Sequence, residues 1–429
     1  MKHIILLVCL FVCSENSWAQ KAHTHIALLN ATAHLGNGEV IEHSLVVIKN
    51  NKLETVTSAK GIKLDYRAFD TVIDLSGKQL YPGLINTNNV LGLHDAEAVR
   101  ATTDFQEVGY LNPHVRTLRA YNTDNLIVPT VKTNGILYTQ VTPRGGLMSG
   151  SSSIMALEGW NWEDAVLLED DGIHLNYPEQ VVQQWSSEEG LTKKANLKYN
   201  QEIATLTKFF EDATAYAKSG TYDEKDLRME AMRKIFSGKA MLYIHTDRAK
   251  DILSALNFVS QFSIVKPVLV GGKESYKVSK ELKKANIPVM LNRINDLPDY
   301  SDDHVDILFS IPYLLQKDSV LFCLQLAGDM EAMQSRNLPF NAGETVAYGL
   351  TKEEALASIT SNVAKITGVD HLIGTLEEGK LASLIVSDGD VLDIRTNRII
   401  LAYIAGKKVD LTNQQTELYL KYKHKYGIK

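Results

Sequence analysis

Cysteine is nearly absent from this chain. Its 429 residues hold three, and two of them, Cys9 and Cys13, lie at the very start. Cys323 is then alone, so the remainder forms no internal disulfide and its core must stabilise the fold unaided. Set in Val320-Leu321-Phe322-Cys323-Leu324, that thiol reads as a small buried hydrophobe rather than a nucleophile. Positive charge is also scarce. Lys and Arg number 45 against 51 Asp and Glu, a formal net charge of −6, with no broad basic stripe outside the C-terminus, which argues against a nucleic-acid partner. Long apolar runs are missing, so no transmembrane segment is expected. No Gly-x-Gly-x-x-Gly turn follows the first strand of the mixed region, which disfavours a doubly wound open sheet. Phosphate-loop and Gly-x-Ser-x-Gly signatures are lacking too, so neither nucleotide binding nor a serine-hydrolase elbow is supported.

What remains is the composition of an ordinary globular protein, 45% hydrophobic and 22% charged, long enough for one large barrel and a smaller domain. The start reads as a leader. Met1-Lys2-His3 is a short positive region, Ile4 to Cys13 an apolar run of ten residues, and Ser17-Trp18-Ala19 a small-residue cleavage site. Residues 1–19 are therefore expected to be an export signal cut after Ala19. Their removal takes one Lys and one Glu and leaves the net charge at −6. The mature chain is expected to be periplasmic or secreted.

Short β-rich runs occupy both ends: Ile26 to Leu29, Ser44 to Lys49, Leu53 to Val56 and Thr71 to Leu75, then Leu384 to Ser387 and Arg398 to Ile404. Asn50-Asn51 suits a tight hairpin, because Asn tolerates positive φ. The middle alternates. Strand candidates are Leu84 to Thr87, Gly135 to Val141, Met241 to His245, Pro267 to Val270, Ile287 to Leu291, Ile307 to Ser310 and Leu321 to Leu326. Helical patterns lie between them, including Glu202 to Lys218, Asp223 to Ile235, Ala249 to Phe258 and Ser275 to Lys284. Lys352 to Thr367 reads as one helix, with a capping box from Thr351 and Glu354 and a terminating Gly368. The pattern predicts an α/β protein: a (β/α)₈ TIM-like barrel over 82–373, and a small discontinuous β-sandwich from 20–81 and 374–412. Residues 413–429 form a basic, aromatic tail read as a solvated helical end, and Trp160 and Trp162 are read as packing residues.

Two segments then point to a family. Asp74-Leu75-Ser76-Gly77-Lys78-Gln79-Leu80-Tyr81-Pro82-Gly83-Leu84-Ile85 enters the middle, and Gly374-Thr375-Leu376-Glu377-Glu378-Gly379-Lys380-Leu381-Ala382-Ser383-Leu384-Ile385-Val386 leaves it, about 300 residues later. Together they resemble the entry to and exit from the barrel of the amidohydrolase superfamily, of the imidazolonepropionase-like kind. Ser383 stands where that family usually has Asp. The resemblance implies metal ligands on barrel strands one, five, six and eight. A Pro-Gly-Leu-Ile-Asp-x-His-x-His strand would supply two histidines on one face, but here those positions are Asn88 and Val90. Strand six ends in Gly271-Gly272, with no imidazole. His245 matches the strand-five ligand, and Asp329 falls where the strand-eight Asp that binds metal and activates water would stand.

Two inherited ligands are fewer than the roughly three protein donors of a catalytic zinc. The expectation is at most one weakly held divalent metal such as zinc at His245 and Asp329, or none, with His94, Glu97 and Asp247 as further donors within reach of a rearranged site. His245 is read either as catalytic or as a hydrogen-bonded imidazole at a strand end, and Asp329 either as catalytic or as a cap for Met330 to Gln334. The polar segment Arg100 to Gly109 lies over the mouth, where its charges either order a substrate or pair with one another. The Thr142 to Ser153 stretch, with Arg144, Gly145 and Gly146, is either a plain loop or an oxyanion or carboxylate site. The family implies a hydrolase of carbon–nitrogen bonds other than peptide bonds, cyclic amides included. Catalytic roles would fall to His245, Asp329 and Arg144, and substrate contacts to Asn88, Arg100, Gly145 and Gly146. The alternatives are a non-catalytic binding protein on the same scaffold, or a metal-free lyase or isomerase in the same pocket. The expected partner is a small molecule, and the sequence leaves a homo- or hetero-oligomer open.

Overall fold

The computed structural model describes residues 24–96, 99–186, 190–219, 224–328 and 330–428. The leader at 1–19, Glu97 and Asp329 lie outside them.

Two sheets draw on the chain ends. One has four strands, in the order Lys52–Ser58, Ser44–Lys49, His25–Leu29, Thr71–Asp74. Asn50 turns the first hairpin at φ 57°, the left-handed conformation that Asn tolerates. The other sheet has six strands and mixes both termini, since Leu384–Ser387 pairs antiparallel with Gln79–Pro82. Leu28, Val46, Ile48, Leu80, Leu384 and Val386 share one buried cluster between the two sheets, the aligned-sandwich arrangement in which inner faces interdigitate.

The central sheet has eight strands and is nearly closed. They are β1 (Leu84–Asn89), β2 (Ile136–Val141), β3 (Met148–Ala156), β4 (Val166–Asn176), β5 (Met241–Thr246), β6 (Pro267–Gly271), β7 (Val289–Leu291) and β8 (Phe322–Leu324). The architecture is the expected TIM-like barrel with an added β domain. One strand departs from the all-parallel plan: β3 runs antiparallel to both β2 and β4. The Gly- and Ser-rich stretch from Met148 to Ser153, read from sequence as loop, is in fact buried strand. Its small residues gave no β-branched signal, and the ladder hydrogen bonds on both edges decide its state. At the seam, Ile85 N–H donates to Ile359 O at 3.0 Å and Leu324 N–H to Ser358 O at 3.1 Å. Side chains complete the join. Asn86 Nδ2 donates to Ser335 Oγ and Asn89 Nδ2 to Glu331 O.

Three local expectations need correction. Ile307 to Ser310 is the first turn of a helix, Ile307–Lys317, that buries Leu308, Ile311 and Leu315 at helical spacing. Four residues were too few to separate a period of 3.6 from one of 2. The single helix expected from Lys352 is two, Lys352–Ala357 and Ser361–Thr367, although the Thr351–Glu354 capping box and the left-handed Gly368 cap are both present. Trp160 is 93% exposed and so is not a buried packing residue, whereas Trp162 stacks under the Arg119 guanidinium. Cys323 is buried on β8, and burial pushes its thiol up to about 12, so it is inert as a nucleophile. Among the described residues no helix is long and apolar enough to cross a membrane.

Candidate active site

The C-terminal ends of the strands surround a cavity of ≈ 520 Å³ lined by Asn88, Arg144, Asn176, Glu179, His245, Asp247, Gln325 and Glu331, among others. This is the face on which loops over a barrel build active sites.

Arg144, just past β2, is the charge at the centre of one wall. Its Nη2 donates to both Glu331 oxygens, at 2.9 and 3.0 Å, and to Asn88 O at 2.8 Å. Its Nη1 donates to Asn88 Oδ1 at 2.9 Å. The guanidinium fork matches a carboxylate and a backbone carbonyl at once, which an ammonium does not. Asn88 is further held by Nδ2 to Gln325 Oε1 at 2.6 Å, and Gln325 Nε2 donates to Met290 O. Every amide here has an assigned donor or acceptor duty, so the wall is pre-organised.

A second network runs inward. His245 Nε2 lies 2.8 Å from His174 Nδ1, and His174 Nε2 lies 2.9 Å from Ser152 Oγ. Ser152 Oγ donates to Asp171 Oδ1 at 2.8 Å. Tyr243 Oη and Gln140 Nε2 donate to Asp171 Oδ2 at 2.6 and 2.7 Å. Burial pushes Asp171 up to about 6 even with these three donors. Burial takes His245 down to about 3, with Arg144 adding repulsion, and holds His174 well below the usual imidazole range, so both rings are neutral at pH 7.

Two further acids line the cavity, Glu179 and Asp247. Asp247 N–H donates to Glu179 Oε1 at 3.3 Å. Burial, reinforced by the Asp247 charge, pushes Glu179 up to about 7. Asp247 is itself raised by burial.

Of the residues expected from sequence, His245, Arg144, Asn88 and Asp247 meet in the cavity. Arg100 does not. It sits exposed on the turn Arg100–Thr102, while Phe105 of the same segment does line the cavity. Among the described residues no ion pair joins Arg100, Asp104 and Glu107, whereas Arg116, further on, pairs with Glu169 and Asp170. Gly145 and Gly146 lie under the mouth segment instead of facing the cavity. A Cβ on Gly146 would meet Gly109 O and Tyr110 O at 3.0 Å, and one on Gly145 would meet the Gln106 amide at 2.6 Å. They permit close backbone approach, as the plain-loop reading expects. Asp329 lies outside the described residues. Sequence reasoning missed His174, Asn176, Glu179, Gln325 and Glu331. For the first two a signal existed: Ile173-His174-Leu175-Asn176 alternates apolar and polar, as a half-polar barrel strand should.

The family's metal does not fit the described donors. Val90 is buried in the core. Asn88 stands at φ 48° with a register shift beside it, so the i, i+2 geometry that would aim two ligands at one ion is broken. Its amide is already taken by Arg144 and Gln325, and Gly271 supplies no side chain. A fixed guanidinium also repels a second cation at that wall. Among the described residues no group of three or more His, Cys, Asp or Glu is placed to hold an ion.

The profile described as the amidohydrolase family matches residues 294–414. An amidohydrolase from Thermotoga maritima shares the fold with TM-score 0.75 and 23% identity, covering 90% of this chain and 99% of that one. The A. niger ochratoxinase follows at TM-score 0.55 and 14% identity, covering 90% and 95%. Molinate hydrolase gives 0.53 and 14%, covering 91% and 95%. An adenine deaminase from Desulforamulus reducens is 28% identical over 81 residues, 19% of this chain and only 14% of that enzyme's length. These likenesses show that the chain shares the fold of these hydrolase structures, and the profile ties residues 294–414 to the amidohydrolase family.

Proposed function

We propose that the protein is an exported hydrolase of carbon–nitrogen bonds other than peptide bonds, acting on a small-molecule amide, cyclic amides included. The observation that carries this reading is the fixed Arg144 guanidinium sharing one cavity wall with Asn88, with neutral His245 lining the same cavity. Positive charge held in place before reaction stabilises an oxyanion as it develops, without reorganisation. His245 supplies a neutral imidazole beside it. Asp329 remains the second base that the family resemblance suggests. The names of the relatives, a deaminase and amidohydrolases, favour the same bond class.

A screen over cyclic imides, lactams and acyl amino acids tests the proposal. Turnover of one class, abolished in His245→Ala, supports it. Turnover that survives His245→Ala refutes the assigned site. A second reading is a binding protein, favoured because Arg144 is already satisfied by Glu331 and Asn88 within the chain. No turnover in any class, with saturable binding of one of these compounds, would replace the first reading by the second. Export is tested separately by the mass of the protein recovered outside the cytoplasm, expected to begin at Gln20.

A further inference from the structure

The inward chain of hydrogen bonds has a direction, and it can be read from an obligatory donor. Asn88 N–H donates to Gln140 Oε1 at 3.0 Å, which turns the Gln140 amide so that its Nε2 faces Asp171 Oδ2. A backbone N–H has no other role. Tyr243 donates to the same oxygen. As a carboxylate Asp171 only accepts, and Ser152 Oγ gives its proton to Asp171 Oδ1 at 2.8 Å, closer than its other acceptor, Gly172 O, at 3.3 Å. Ser152 Oγ then accepts from His174 Nε2–H. A neutral imidazole carries one N–H, so His174 Nδ1 is an acceptor, and His245 Nε2–H donates to it. The one remaining lone pair on the two rings is on His245 Nδ1. Among the described residues nothing hydrogen-bonds that nitrogen, and His245 lines the cavity.

We propose that Asp171, Ser152 and His174 are positioning residues that fix the tautomer of His245, and that His245 Nδ1 is the acceptor that holds the attacking water. This rests on the hydrolase reading of the cavity. In the step, the His245 Nδ1 lone pair accepts a hydrogen bond from the water and turns its oxygen toward the carbonyl carbon. As the C–O bond forms, the water O–H bond and the C–N bond break and the proton passes to the leaving nitrogen, giving a carboxylic acid and an amine. His245 stays neutral throughout, since burial and the Arg144 charge both disfavour its imidazolium. The arrangement extends the logic of an acid that orients a catalytic histidine through a serine and a second imidazole. Burying His174 and Asp171, with no cation among the described residues paired to that acid, is costly packing that a purely apolar core would avoid.

The test needs no substrate. Nitrogen-15 histidine labelling distinguishes Nδ1–H from Nε2–H rings by their shifts and couplings, with His174→Gln and His245→Gln assigning the two signals. The expected result at pH 7.5 in the wild type is Nε2–H on both. In Asp171→Asn the amide oxygen must stay with Tyr243 and Gln140, so its NH₂ faces Ser152 and the whole chain inverts, giving Nδ1–H on both rings. On a substrate from the screen, that variant should lose about 100-fold in kcat with KM little changed, the scale of a misplaced reacting group. An Nδ1–H His245 in the wild type overturns the proposal even if Asp171→Asn fails to fold. So does a tautomer that ignores Asp171→Asn. A screen without turnover refutes the hydrolase reading and leaves the tautomer result standing on its own.

Discussion

Arg144 Nη2 donates to both oxygens of Glu331, at 2.9 and 3.0 Å, although the two residues are 187 positions apart. The Glu331 side chain is only 8% exposed, and it also accepts Gly328 N–H at 2.9 Å. Removing the arginine leaves a buried carboxylate without its counter-charge, which costs about 3 kcal/mol or more. Arg144→Ala should therefore lower the unfolding free energy by about that amount in urea titration. Arg144→Ala combined with Glu331→Gln should recover a large part of it. Equal stability of the two variants would show that the pair is not coupled.

Gly146 stands at φ 67° with its missing Cβ pointing at two carbonyl oxygens. A left-handed alanine costs about 1–2 kcal/mol, and the close approach to Gly109 O and Tyr110 O adds to it. Gly146→Ala should lose about 2 kcal/mol in the same titration. It should also loosen the mouth segment, read as faster amide exchange of Leu147 and Met148, whose N–H groups donate to Tyr110 O. An unchanged exchange pattern would count against this packing role.

Glu179 gives a pH dependence with a definite sign. Its folded value of about 7 lies above the ordinary 4.5, with burial the main cause and Asp247 the next. Between pH 4.5 and 7 the folded chain holds a proton that the unfolded chain has lost, so stability falls as pH rises through that window. Glu179→Gln removes this slope. The stability of the variant relative to wild type should grow by about 2–3 kcal/mol from pH 4.5 to pH 7.5. A difference that is flat with pH would mean that the carboxyl is not held neutral.

The architecture was legible because its signals are local and paired. Apolar Leu84-Ile85 after Pro82-Gly83, and Leu384 to Val386 after Gly379, announce strands whose ends must meet. His245 and Arg144 were legible as polar groups at strand ends. The antiparallel β3 was not, since Ser149 to Ser153 carry no strand propensity and are placed by their neighbours' ladders. Glu331 and Gln325 were hidden for another reason. Their partners Arg144 and Asn88 are far away in sequence, and only barrel closure brings them together. The inward chain from His245 needs side chains of β2, β3, β4 and β5 at once, so no short motif records it.

The central claim is that Asn88, where the family resemblance implies a metal-binding histidine, is instead engaged by the Arg144 guanidinium and the Gln325 amide. Elemental analysis of the dialysed mature protein tests this most directly. The account predicts well under one tightly held equivalent of any divalent metal per chain, and no loss of activity on adding a chelator. Two tightly held equivalents, with activity abolished by the chelator, would contradict it.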